Sequence, residues 1–354
     1  MSNTLPTLRW GIIGAGSISG KFVGDLEIDR SSYAKANHQI VAVGSSSVEK
    51  AEQFIFKNLR KNSPKAYGSY SELFKDPNVD IVYIGTPHPF HKQPALDAIN
   101  AGKHVLCEKP MTLNYKDAKD LIDAATKKKV FLMEAVWTRF FPIVETFKDL
   151  VHNKKIVGDI HRAFIDFAIK DFDELPSNHR LKDINLGGGA LLDIGIYSIT
   201  WARLGLDPNV GKKALKLNVV SSSVMDAGVD AISSAIITYP EIKAQAILSS
   251  SFWGNTSREI IRLEGKLGKI TVFGKYASCP TKIKITFDDS EKEDITIEPP
   301  KDGFGYHYEA DAVALDIANG KLEDDIMPLD ETLLIFKIMD KIREQCGLVY
   351  PQEK

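Results

Sequence analysis

Cysteine is scarce in this chain. Only Cys107, Cys279 and Cys346 occur in 354 residues, far apart in sequence. That excludes a disulfide framework, a thiolate zinc site and a Cys-x-x-Cys redox motif. An excess of either charge is also lacking: 45 Lys and Arg against 47 Asp and Glu leave a net charge of −2, with no basic footprint for nucleic acid. No apolar run approaches the ~20 residues that cross a bilayer. The opening Met1-Ser2-Asn3-Thr4-Leu5-Pro6 lacks the charged and apolar regions of a signal peptide. No His, Asp and Glu set has metal-ligand spacing, so no metal is expected. These absences predict a reduced, cytoplasmic protein with a small-molecule substrate, and neither a nucleic-acid nor a membrane partner.

What remains is ordinary globular material, 44% hydrophobic and 26% charged, long enough for two domains with their own cores. The first third alternates strand patterns (8–13, 39–43, 81–85, 104–107, 130–133) with helical ones (17–26, 48–59, 90–101, 113–127). That rhythm predicts an α/β, doubly wound parallel sheet whose ligand lies at the carboxyl ends of the strands. After about residue 135 the period changes to two, in eight runs: 160–168, 217–224, 232–239, 244–251, 260–263, 270–273, 283–287 and 295–297. These predict a large, mostly antiparallel open sheet. Helices over 141–151, 190–204, 308–318 and 331–345 make the second domain α+β, with the later ones covering one face of the sheet. The expected domains are 1–135 and 136–354, with the last helix able to pack back on the first. The acidic run 289–294 reads as a solvated hairpin turn.

Three motifs carry chemistry. Gly14-Ala15-Gly16-Ser17-Ile18-Ser19 follows the first strand and opens the first helix, the arrangement that presents backbone N–H groups at the positive end of a helix dipole to a pyrophosphate. Ser19 replaces the third glycine of the fingerprint and is still small. Glu108-Lys109-Pro110 follows the strand at 104–107, placing both charged side chains toward the cofactor crevice; Pro110 keeps Lys109 out of a helix. In the third motif, Gly187-Gly188-Gly189 leads into a helix bearing Asp193 and Tyr197, which are four apart, share a face, and start close to a ligand.

Together these motifs resemble the glucose–fructose oxidoreductase / inositol dehydrogenase (Gfo/Idh/MocA) family along nearly the whole chain. The longer strings Thr86-Pro87-His88-Pro89-Phe90-His91, Glu134-Ala135-Val136-Trp137-Thr138-Arg139-Phe140 and 187–197 are similar to its dihydrodiol dehydrogenase / NADP-dependent D-xylose dehydrogenase branch. The resemblance implies a Rossmann domain followed by an open-sheet domain that forms a homodimer. It makes Lys109 and Tyr197 the catalytic pair, with Asp193 orienting them or the substrate. Such a pair suits hydride transfer from an alcohol: a tyrosine of ordinary pKa about 10 is a poor base, and an ammonium beside it favours phenolate and stabilises alkoxide character.

The second strand ends in Gly44-Ser45-Ser46-Ser47, without the carboxylate that holds the ribose 2′-OH of NAD. Ser45, Ser46 and Lys50 would meet a 2′-phosphate instead, predicting NADP, although in the resembling branch an arginine usually stands at Ser46. Thr86, Pro87, His88, His91 and Glu108 complete the expected cofactor contacts; the two histidines read as turn or helix-start residues rather than bases. Trp137, Arg139, Phe140 and Trp253 are the candidate substrate contacts, the aromatics for a ring and the arginine for hydroxyls. The expected reaction is oxidation of a CH–OH group of a D-xylose-like aldose, giving a lactone, or of a cyclic trans-dihydrodiol. Two alternatives are an NADPH-dependent reductase of dicarbonyls or keto-sugars and a non-catalytic NADP-sensing regulator. The lysine and tyrosine argue against the regulator.

Overall fold

The computed structural model describes residues 5–170 and 172–354; the first four residues of the opening segment lie outside them. The chain divides into two compact units. The first holds residues up to Thr112, Lys116–Trp137 and Asp302–Leu329; the second holds Leu113–Tyr115, Thr138–Lys301 and Asp330–Lys354.

In the first unit the expected alternation is realised as β1 (Thr7–Ile13), α1 (Ser17–Leu26), β2 (Asn37–Gly44), α2 (Val48–Asn58), β3 (Lys65–Tyr67), α3 (Tyr70–Phe74), β4 (Ile81–Ile84), α4 (Lys92–Asn100), β5 (His104–Glu108), α5 (Tyr115–Lys128) and β6 (Leu132–Ala135). The strands run parallel in the order β3-β2-β1-β4-β5-β6. All four residues of β4 are buried, as a strand covered on both faces requires. The order reverses between β1 and its neighbours β2 and β4, so the carboxyl ends of β1, β2 and β4 frame the switch point where such sheets bind ligand. At the tip of β2, the Ser47 hydroxyl caps α2 by accepting from the Lys50 N–H at 3.3 Å.

The second unit begins with α6 (Pro142–Lys148) and a wide π-type turn (Asp149–Asn153), then β7 (Ile160–Ala168). Another such turn, Leu191–Gly195, opens α7 (Ile196–Leu206). Seven strands follow: β8 (Asn218–Asp226), β9 (Val229–Tyr239), β10 (Ala244–Ser251), β11 (Glu259–Gly265), β12 (Gly268–Tyr276), β13 (Cys279–Phe287) and β14 (Ile295–Ile297). The eight-stranded sheet has the order β14-β13-β12-β11-β7-β10-β9-β8. It is antiparallel except where β10 pairs with β7 in parallel. Alternation along β7 turns Ala163, Ile165 and Phe167 inward. Helix α7, buried along its whole length, packs against β7 and β10.

Two helices remain, α8 (Tyr306–Ala318) and α9 (Leu329–Cys346). Chain order suggested that α8 covers the second sheet. Instead it packs on α1 in the first unit. The cause is polar: buried Arg30 donates to both carboxylate oxygens of Asp311, at 2.7 and 3.2 Å, and the Asp25 carboxylate accepts the N–H groups of Phe304, Gly305 and Tyr306 at the start of α8. His38 reaches the same Asp311 at 2.8 Å. From Asp330 onward α9 belongs to the second unit, where the Gln345 amide oxygen accepts from the N–H and hydroxyl of Ser221 on β8.

Candidate active site

The glycine loop is built as the first motif requires. Gly14 has φ +82°, and a Cβ there would lie 2.6 Å from the Gly85 carbonyl, so only glycine fits. Gly16 caps α1 and has nothing within 4 Å of the position a Cβ would take. The space a side chain would fill is left open in front of the first turn of α1, where Ser17 is exposed and Ile18 half-buried. Ser19, in place of the third glycine, is fully buried, and its hydroxyl donates to the Gly14 carbonyl at 2.5 Å, closing the loop. The cradle suits a pyrophosphate.

Beside it lies a pocket of about 430 Å³, lined among others by Gly16, Ser17, Ser45, Ser46, Lys50 and Lys57, with no carboxylate among the described residues of its wall. Lys50 donates to the Ser46 hydroxyl at 3.0 Å. A 2′-phosphate fits this chemistry. Lys57 was not singled out from sequence, although it stands two helical turns after Lys50 on one face of α2 and could have been found by that spacing.

Thr86 follows β4, and its hydroxyl donates to the Phe90 carbonyl, folding Pro87 and His88 into a tight turn. His91 corrects one expectation. Its ring is fully buried, with Nδ1 2.8 Å from the Pro110 carbonyl and Nε2 2.6 Å from that of Thr86. Burial pulls its pKa down to about 4 against the pull of those carbonyls. The ring ties two loops together and has no nitrogen left for a cofactor. Glu108 is likewise turned inward, accepting from the Tyr83 hydroxyl at 2.6 Å and from the Lys109 N–H at 3.2 Å. Those two bonds fix the end of β5. Lys109, next in the chain, is half-buried at the carboxyl end of β5.

In the second unit Asp193 lies within the π-type turn that opens α7, and Tyr197 in the first turn of the helix; both are nearly buried. Arg180 donates to Asp193 at 2.8 Å, a partner the sequence did not disclose. The Tyr197 ring lies 5.8 Å from that of Phe167 on β7. The preceding glycines serve a different purpose from the one expected. A Cβ on Gly189 would lie 2.1 Å from the Asp230 carboxylate, and one on Gly188 would lie 2.7 Å from the Leu181 carbonyl. Gly188 makes room for the Leu181 carbonyl and Gly189 for Asp230, which accepts from the Leu191 N–H and the Ser233 hydroxyl, both at 2.7 Å. Burial pushes the Asp230 carboxyl up to about 6, against those hydrogen bonds.

The expected substrate residues divide. Trp253 is 42% exposed and donates to Asp173 at 2.9 Å. Trp137 is buried, stacked on Tyr306 with centroids 4.3 Å apart, and Phe140 is buried too. Arg139 is corrected outright: its guanidinium donates to Glu331 at 2.6 Å, with the two side chains 1% and 0% exposed. Arg203 holds the same carboxylate at 3.0 and 3.1 Å and also pairs with Asp207. The network is buried, and the guanidinium is turned to Glu331 rather than to solvent. Among the described residues no group of His, Cys, Asp and Glu could hold a metal, and no helix is long and apolar enough to cross a membrane.

Comparison with known proteins follows the same division of the chain. Residues 8–136 match the model of an oxidoreductase family with an NAD-binding Rossmann fold, and 144–274 match the GFO/IDH/MocA C-terminal domain. The chain is 36% identical to the D-xylose 1-dehydrogenase (NADP(+)) of Hypocrea jecorina, over 98% of this chain and 94% of that one. It is 34% identical to the human trans-1,2-dihydrobenzene-1,2-diol dehydrogenase, over 98% and 99%. Among solved structures, a levoglucosan dehydrogenase complexed with NADH and levoglucosan shares the fold with a TM-score of 0.81 at 20% identity, covering 98% of each chain. An aldose-aldose oxidoreductase from Caulobacter crescentus does so with a TM-score of 0.78 at 22% identity, over 96% of this chain and 98% of that one. Glycine cradle, open sheet and full-length relatives agree, and the chain belongs to the Gfo/Idh/MocA family of oxidoreductases.

Proposed function

We propose that this protein is an NADP-dependent dehydrogenase that oxidises one CH–OH group of an aldose such as D-xylose, giving a lactone, or of a cyclic trans-dihydrodiol. The observation that carries the reading is the pocket beside the Gly16 cradle, where Ser46, Lys50 and Lys57 supply donors and positive charge for a 2′-phosphate. It is supported by full-length relatives that act on a sugar with NADP(+) and on a dihydrodiol. The bound nicotinamide supplies the hydride acceptor. Tyr197 takes the proton of the reacting hydroxyl. The Lys109 ammonium offsets the negative charge that builds on that oxygen. Asp193, gripped by Arg180, positions Tyr197. Trp253, 42% exposed, is an aromatic available to a substrate ring. Of the two expected domains, the first binds the cofactor and the second the substrate.

NADP reduction with D-xylose, D-glucose and a trans-dihydrodiol tests the reading. Lys109→Met and Tyr197→Phe each lower kcat by about 10²–10⁴-fold. Undiminished turnover in both removes them from the chemistry.

The homodimer forms through the outer face of the second sheet. There Val220, Ile236, Ile247 and Phe164 stand side by side in register on four adjacent strands. The first three are 67%, 39% and 37% exposed, an apolar row that a second copy would cover. Light scattering of Ile236→Lys checks it: the variant runs as a monomer and the parent as a dimer. A cytoplasmic setting fits the thin cysteine content.

A further inference from the structure

Oxidation is the chemistry that the sequence pattern left without a site. Cys107 is fully buried, and the Cys346 thiol lies 3.4 Å from the Arg343 carbonyl. Cys279, the first residue of β13, is different: it is half-exposed, and the Lys301 Nζ lies 2.5 Å from its Sγ. Lys301 is held there partly by the Phe141 ring, whose centroid lies 5.5 Å from Nζ. All three residues belong to the second unit, and Lys301 is the last residue before the segment Asp302–Leu329.

We propose that Cys279 and Lys301 form a peroxide-driven covalent crosslink, a modification site separate from the dehydrogenase chemistry. The Cys279 thiolate attacks one oxygen of hydrogen peroxide; the O–O bond breaks, giving the sulfenic acid and hydroxide. Hydroxide takes a proton from the Lys301 ammonium and leaves as water. The freed amine, already against the sulfur, attacks it; the S–O bond breaks, and the departing hydroxyl leaves as water with a proton from nitrogen. Thiolate, ammonium and peroxide thus become one S–N bond and two waters. Two equivalents of an added thiol reverse the bond, returning thiol and amine and forming their own disulfide. The crosslink closes β13 and β14 into a covalent ring ending at Lys301.

The test treats the full-length protein with hydrogen peroxide, then combines intact mass with a non-reducing digest. The expected result is a loss of two hydrogens, a single peptide pair joined through Cys279 and Lys301, and full recovery with dithiothreitol. In Lys301→Arg the joined pair disappears while Cys279 still takes up oxygen. The proposal is overturned if the parent's Cys279 stops at oxygen adducts with Lys301 still open to acylation. It is equally overturned if the lost hydrogens map to a disulfide, or if Lys301→Arg still loses two hydrogens at the same rate. Neither residue is assigned to cofactor or substrate, so failure here leaves the dehydrogenase reading standing.

Discussion

Replacing Arg139 with methionine separates the two roles a buried arginine near a strand end could have. The substitution keeps the apolar stem and deletes the guanidinium that donates to Glu331 at 2.6 Å. Losing the sole partner of a buried charge costs about 3–5 kcal/mol; here Arg203 stays on the same carboxylate, so about 2 kcal/mol is expected. For a unit of this size that lowers Tm by roughly 4–8 °C. The pH dependence follows from Glu331. Burial alone would raise its carboxyl, but the Arg139 and Arg203 charges outweigh burial and hold it at about 2, below the ordinary 4.5. A carboxyl depressed on folding contributes stability that is present above its ordinary pKa and is lost as pH falls toward the folded one. The gap between parent and variant is therefore full at pH 7 and narrows between about 4.5 and 2. Thermal melts at pH 7 and pH 3, run beside initial rates, measure both effects. KM for D-xylose should change less than about twofold, since uniform binding is untouched. An unchanged Tm with a KM raised tenfold or more would return Arg139 to the substrate and refute the structural assignment.

Other expectations concern the cofactor. Gly16→Ala folds normally, because its Cβ has nothing within 4 Å, yet it loses NADP affinity measured by fluorescence titration. Gly14→Ala, at φ +82° with its Cβ 2.6 Å from the Gly85 carbonyl, is expressed poorly or melts early. Replacing Lys50 and Lys57 together with alanine raises KM for NADP about tenfold, the weight of one charge-assisted contact. KM for NAD stays unchanged, and the effect shrinks at high salt.

Most of the architecture was legible because it rests on periodicity. The span 17–26 is helical as read, and 160–168, 244–251 and 295–297 are strands as read. β3 and α3 escaped, being three and five residues long, too short to show a period. The site was legible where one backbone requirement names the residue, as at Gly14. It was not legible where a side chain's role depends on a distant partner. Arg139 reads as a ligand arginine until Glu331, 192 residues on, is seen against it. His91 was misread for the same reason: residue type indicated function, while packing turned its ring inward. The triple glycine was expected to bring the helix start close to a ligand, but what occupies the space at Gly189 is the Asp230 carboxylate.

The return of residues 302–329 to the nucleotide-binding unit has a consequence for how the polypeptide matures. As the chain leaves the ribosome, Arg30 emerges long before Asp311, 281 positions later, can neutralise it. Asp25 likewise waits for the three amides it receives from residues 304–306. A fragment ending near residue 300 would carry both charges without counterparts, so the amino-terminal unit is not a severable module. It becomes complete only after almost all of its neighbour has been synthesised.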